Sequence, residues 1–295
     1  MVANIVIDYL LNKGMISEEQ SRQIFDELSH VRARLGLIAV HEGLITEYQA
    51  DTVNMLQATR DKKFGDLAIE MGLLTGKQVE ELLMKQGDPY LSLGQSLENL
   101  GIMRFSDLDQ VMKKYQAENR LTTSSIEAIK SDETDRIVPL FMPENSSIYC
   151  DIVILAMNTI QRMIDVHILP RMGFFTDKLE TEKGALQFVD GDPCLTTCFA
   201  CDGDGLIDVA SIYGREEFES VDMDALDAIA EFINCINGMY ASKASLDRVR
   251  MELYPPSFND SISGVVGSTM LVMPIVICGR EIKLVFCVGD RLDLE

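Results

Sequence analysis

An all-α helical repeat array followed by an α+β domain, with an antiparallel sheet flanked by helices, is the fold that this sequence predicts. Two observations lead there. Glycines recur at a fixed spacing through the first 120 residues, and beyond about residue 125 helix-like stretches alternate with runs of strand-like segments. A length of 295 residues also suits two domains, since single domains cluster at about 100 to 200 residues.

In the first domain, residues 1–120, Gly14, Gly43, Gly72 and Gly101 stand 29 residues apart, each followed by a short apolar pair. Three copies open with related triplets, Arg34-Leu35-Gly36, Lys63-Phe64-Gly65 and Ser92-Leu93-Gly94, and two close at matching positions with Gln57 and Gln86. A short amphipathic segment ends at each glycine, which can take the left-handed conformation that a helix C-cap needs. A second helix starts at once, at Ser17 with Gln20, Thr46 with Gln49 and Thr75 with Gln78, the spacing of a capping box. The fourth copy has Arg104 instead, so its cap is expected to slide to Ser106. One helix pair buries too little surface to stand alone, and the copies must stack over roughly residues 3–118.

The array resembles the N-terminal domains of type II secretion and pilus assembly ATPases, most closely over RLGLIAVHEGLITEYQADTVNMLQ, Arg34 to Gln57. That resemblance implies cyclic di-GMP binding through Arg34, Gly36 and Gln57, then Lys63, Gly65 and Gln86. The competing reading is a packing repeat that docks a partner.

Charge narrows the partners. The formal net charge is −21, with 13 basic and 18 acidic residues in positions 1–120 against 13 and 29 in positions 121–295. Nucleic acid is excluded, because binding it needs a basic surface. A basic protein surface or a metal-bearing partner fits better. The N-terminus MVANIVIDYLLNKG lacks a basic region and a cleavage site, and no apolar run reaches about 18 residues, so neither export nor membrane insertion is expected. Seven scattered cysteines read as reduced thiols, and the expected location is cytoplasmic.

From Asn119 to about Asn145 the period is lost and polar residues and prolines collect, which reads as a linker, with the second domain spanning 125–295. Beyond it the pattern predicts helices around 148–164, 205–213 and 222–244, and strands around 166–174, 185–189 and 195–201. Three further strands are RVRMELYPP, TMLVMPIVIC and EIKLVFCVG, the last two joined by a hairpin-like turn at Gly279-Arg280.

Candidate chemistry concentrates on the helix from Ser220 to Ala244. With Glu231 set at 0° and about 100° per residue, Leu226, Ile229, Ile233, Ile236 and Tyr240 cluster near 180° as a core-facing stripe. Asp227, Glu231, Asn234, Gly238 and Ser242 lie within about 60° of zero, a polar row at helical steps. Gly238 continues the row without a side chain, and glycine inside a helix costs about 1 kcal/mol against alanine, which suits a second macromolecule approaching there. Spacing alone leaves the row an ordinary solvent-facing stripe.

The pattern Asp227-x3-Glu231-x2-Asn234, with Pro255-Pro256 some twenty residues later, resembles the signature of the CheC, CheX and FliY family of response-regulator phosphatases. CDGDGLIDVASIYG, INGMYASKAS and VMPIVICGREIKLVFCVG extend the likeness over most of residues 147–290. What it implies is hydrolysis of the aspartyl phosphate of a CheY-like receiver domain. Glu231 would pair with the regulator's active-site lysine, and Asn234 would orient the attacking water, with Asp227, Gly238 and Pro256 in supporting contacts. A neutral carboxamide suits the task, since it orients water without adding negative charge beside a phosphoryl group. No cofactor of the chain's own is implied, the regulator supplying Mg2+, and a homodimer is the family's common assembly. The alternatives are a receiver-binding adaptor without hydrolysis, or a cyclic di-GMP effector acting through the repeats.

An internal echo accompanies the motif. DIVILAMNTIQRM (151–163) matches DAIAEFINCINGM (227–239) in register, with Leu155 where the second copy has Glu231. One active helix per chain is therefore expected, as in CheX. Cys194, Cys198 and Cys201 are read as structural, because on a strand the last two face opposite ways. The Asp202-Gly-Asp204 segment lacks a calcium loop's later ligands, and His30, His41 and His167 are too dispersed for a metal site.

Overall fold

The computed structural model describes all 295 residues, which divide into two units, Val2–Asp132 and Glu133–Glu295 with Met1. The protein is α+β, with its helical repeats in the first unit and an antiparallel sheet in the second.

The helical unit contains α1 (Val2–Asn12), α2 (Glu18–Leu28), α3 (Leu35–His41), α4 (Glu47–Gln57), α5 (Phe64–Glu70), α6 (Gly76–Met84), α7 (Pro89–Asn99), α8 (Phe105–Glu118) and α9 (Thr123–Ser131). Gly14, Gly43, Gly72 and Gly101 all carry φ between +64° and +68°. After each, the next amide closes the helix by bonding back to a carbonyl of the preceding turn, as Leu44 N–H does to Ala39 at 2.9 Å and Ile102 N–H to Leu97 at 3.0 Å. Ser17, Thr46 and Thr75 form complete capping boxes with Gln20, Gln49 and Gln78. The fourth cap does not slide to Ser106. Arg104 stays at the N-cap, its backbone N–H bonding to the Asp107 carboxylate at 3.4 Å, while the Glu98 carboxylate accepts from Phe105 N–H at 2.9 Å. Asp107 thus plays the part that Gln20 plays in the first copy, and Glu98 satisfies a further free amide of the first turn.

The stretch read as a linker is partly a helix. Thr122 caps α9 by accepting from Ser125 N–H at 3.1 Å, and Ile126, Ala128 and Ile129 are buried where α9 packs on α1, α7 and α8. Polar Thr and Ser residues hid three apolar ones at helical spacing, so the division falls at Asp132 rather than near residue 125.

The second unit contains α10 (Thr134–Ile137), α11 (Cys150–Met163), α12 (Ile207–Gly214) and α13 (Met223–Leu246). Its strands are β1 (Leu169–Pro170), β2 (Phe174–Leu179), β3 (Lys183–Asp190), β4 (Leu195–Cys201), β5 (Glu252–Leu253), β6 (Ser257–Asn259), β7 (Val265–Ile277), β8 (Arg280–Val288) and β9 (Asp293–Leu294). The antiparallel sheet runs β1-β7-β8-β4-β3-β5, with β2 and β9 also on β7 and β6 also on β3. One face is covered by α13, where Phe199 meets Phe232 edge-on at 5.9 Å. The other buries Leu186, Cys198, Ala200, Val272, Val285 and Cys287.

Two strand expectations shift. The stretch expected as one strand at 166–174 holds only the two-residue β1 and the start of β2, which runs on to Leu179, and RVRMELYPP contributes only Glu252–Leu253, since Pro255 and Pro256 offer no N–H to a ladder. In the Asp202-Gly-Asp204 segment both carboxylates are taken: Lys283 bonds Asp202 at 2.7 Å, and Asp204 accepts from Lys183 at 3.3 Å and Val221 N–H at 2.9 Å. No helix is long and apolar enough to cross a membrane.

Candidate functional site

Helix α13 starts at Asp222, whose side chain accepts from Ala225 N–H at 3.0 Å. Its buried residues, from Ala225 and Leu226 to Ile236 and Asn237, face the sheet and α12. The opposite row carries the candidates. Asp227 and Glu231 are exposed, Asn234 is half-buried at the rim, and a Cβ added to Gly238 would meet nothing within 4 Å. The helix is pinned at this level by α12, where the Tyr213 ring lies 4.9 Å from Phe232 and its hydroxyl donates to the Glu231 carbonyl at 3.4 Å. Burial, then the neighbouring Cys235 and Glu231, push the Tyr213 phenol up.

Beneath Asn234 lies a row of polar side chains that the motif does not contain. Gln187 Nε2 donates to Asn234 Oδ1 at 2.7 Å and to the Tyr254 carbonyl at 2.9 Å. Gln187 Oε1 accepts from Asn237 Nδ2 at 2.9 Å, and Asn237 Oδ1 accepts from the Thr197 hydroxyl at 2.8 Å. Gln187 and Thr197 are direct register partners on β3 and β4. Gln187 is 1% exposed, and Thr197 and Asn237 are fully buried, so each polar atom is satisfied inside the protein. The same bonds bring Tyr254, and with it the Pro255-Pro256 segment, against the row; Pro256 is half-buried two residues on.

Signals for these residues exist in the sequence. Gln187 shares a strand face with Ala185 and Val189, both buried, and Asn237 falls inside the buried arc of α13. A polar residue on an apolar face implies a polar partner.

In the helical unit, Arg34 and Gly36 line a cleft of about 740 Å3 with His41, Gln95, Arg104 and Asp109; Gln57, Lys63, Gly65 and Gln86 do not line it. The repeated glycines are close-approach positions. A Cβ at Gly36 would lie 3.0 Å from Phe64, at Gly65 2.8 Å from Val79 and at Gly94 1.9 Å from Phe105. Gln86 Nε2 donates to the Ala33 carbonyl at 2.9 Å, and Gln95 Oε1 accepts from Arg34 N–H at 3.0 Å. At the cleft wall, Asp109 accepts from Tyr90 and Lys130, both at 2.9 Å, with His41 3.6 Å away. Burial alone would raise the Asp109 carboxyl, but these donors hold it far below the usual range.

Cys198 and Cys201 are buried thiols on β4, while Cys194 is half-buried just before it; Cys198 lies in the far-face cluster, and burial pushes it and Cys201 up. No group of three or more metal-ligating side chains gathers in the chain.

The sequence matches no family model and no curated protein. Solved structures do resemble its C-terminal half. The chemotaxis protein CheX from Desulfovibrio desulfuricans is 19% identical, with a TM-score of 0.41 over 48% of this chain and 98% of that one. CheX from Vibrio vulnificus is 13% identical (TM-score 0.39, 46% of this chain and 95% of that one), and the CheX–CheY–BeF3–Mg complex from Borrelia burgdorferi is 15% identical (0.36, 46% and 94%).

Proposed function

We propose that the C-terminal unit is a phosphatase for the aspartyl phosphate of a CheY-like receiver domain, acting through Glu231 and Asn234. The observation that carries this reading is the pairing, one turn apart on the outer face of α13, of an exposed carboxylate with an amide held from behind. In the reaction a water oxygen forms a bond to phosphorus and the bond from phosphorus to the aspartyl oxygen breaks. The carboxylate leaves with the electron pair and the water proton ends on inorganic phosphate. An acyl phosphate is already activated, so placing that water in line is the main task left to a second protein. Asn234 places it, while Glu231 pairs with the receiver's lysine and fixes the docked geometry. The divalent cation comes with the receiver and neutralises phosphoryl charge there.

The test is release of inorganic phosphate from phosphorylated CheY-type receiver domains by the full chain, by Glu231→Ala and by Asn234→Ala. Both variants are expected to lose acceleration, Asn234→Ala by about a hundredfold with receiver binding retained. Binding of the receiver by wild type with no acceleration makes the chain an adaptor instead. Unchanged rates in both variants remove the site.

A further inference from the structure

We propose that Gln187 is a positioning residue that fixes which end of the Asn234 carboxamide faces the partner, so that Asn234 presents a donor N–H. The inference rests on the phosphatase reading and deepens it.

The Tyr254 carbonyl only accepts, so the atom of Gln187 that lies 2.9 Å from it must be the amide nitrogen. That same nitrogen lies 2.7 Å from Asn234, and it has no lone pair to offer, so the facing atom of Asn234 must be Oδ1. The other end of Gln187 is held too. Its Oε1 accepts from Asn237, and Asn237 accepts from Thr197. Turning Asn234 over would set an NH2 group against an NH2 group beside a glutamine that is 1% exposed, where water does not compensate. Nδ2 of Asn234 is thus left on the outer side, with no partner inside the chain, one turn from Glu231.

This orientation has a chemical consequence. A water held by the Asn234 N–H spends one lone pair on that bond and keeps the other for phosphorus, and the direction of the donor is set before the partner arrives. A freely turning amide would present the donor for only part of the time.

Two substitutions separate positioning from packing. Gln187→Glu keeps the shape but removes both donors, and it favours the turned-over Asn234, with Nδ2 inward. Gln187→Met removes donor and acceptor and leaves Asn234 free to turn. On the full chain with a phosphorylated receiver domain, kcat is expected to fall at least tenfold in Gln187→Glu and about threefold in Gln187→Met. KM and receiver affinity stay within twofold of wild type. The 15N side-chain amide resonance of Asn234, assigned by its loss in Asn234→Ala, is expected to be a single sharp pair in wild type, to move in Gln187→Glu and to broaden in Gln187→Met. Should Gln187→Glu not fold, Gln187→Met decides alone: lower kcat at unchanged affinity supports positioning, and unchanged kcat overturns it. Full kcat in a folded Gln187→Glu, with Asn234→Ala inactive, overturns the relay and leaves the phosphatase reading intact. Equal rates in wild type and Asn234→Ala overturn that reading, and the role assigned to Gln187 falls with it.

Discussion

Helices α11 and α13 carry the same pattern 76 residues apart, yet their polar rows are engaged differently. In α11, Asp151 is paired with Lys243 at 2.8 Å, Leu155 is half-buried where α13 has Glu231, and Asn158 is exposed. One turn on, Gln161 is spent on fixing loops: it accepts from Thr134 at 2.7 Å and donates to the Val166 carbonyl at 3.4 Å. Its counterpart Asn237 instead faces the sheet and holds Gln187. Arg162 stands where α13 has the bare Gly238. On the proposed reading, a duplicated helix becomes a site through what supports its asparagine and what clears the space beside it, as much as through the asparagine itself.

The largest expected contrast is catalytic. Asn234→Ala should lower phosphate release by about a hundredfold, and Asn158→Ala should leave it within twofold, measured side by side on one receiver domain. Equal losses would show that both helices act. The next contrast is in stability. Asn237→Ala strands Gln187 Oε1 and the Thr197 hydroxyl with no access to water, at a cost of about 2 to 4 kcal/mol. Gln161→Ala, on a more open surface, should cost below about 1 kcal/mol. Hydrogen exchange of the β3 and β4 amides reads both, and similar protection in the two variants would place the row outside the load on the sheet. Smaller still is Gly238→Ala. Its methyl enters open space and should add about 1 kcal/mol of helix stability in thermal unfolding. Receiver binding should weaken at the same time if, as proposed, the partner backbone approaches through that space. Gain of stability with unchanged affinity would move the docking surface off this end of α13.

How much of this was legible follows from distance along the chain. Caps, left-handed glycines and the helical stripe of α13 depend on residues within a few positions of one another, and Ser17 with Gln20 or Gly43 with its neighbours can be read directly. The support of Asn234 was not legible, because Gln187 lies 47 residues away and meets it only once β3 is in register under α13. Its trace was a polar residue on an otherwise apolar strand face, which says that a partner exists without saying which. The misplaced domain boundary has a different origin: TTSS reads as linker by composition, while Ile126, Ala128 and Ile129, which decide the matter, are few. The repeated glycines of the helical unit show the same limit. Gly36, Gly65 and Gly94 mark a period, but only the neighbouring Phe64, Val79 and Phe105 show that close packing is what the period demands.

The sharpest use of the comparison is to give α11 the missing carboxylate. Leu155→Glu restores the acid at the position equivalent to Glu231, so if the pair of residue types were sufficient, this variant in an Glu231→Ala background would recover hydrolysis. No recovery is expected, and in the otherwise unaltered chain the rate should stay within twofold of wild type. Asn158 is exposed, with no buried amide to set which of its ends faces outward, and on α11 the position equivalent to the bare Gly238 carries the Arg162 side chain. Phosphate release by the double variant, with receiver binding measured in parallel, is the readout. Recovered hydrolysis would show that a carboxylate and an amide one turn apart suffice on any exposed helix, and the supporting row beneath α13 would then be a feature of stability rather than of chemistry.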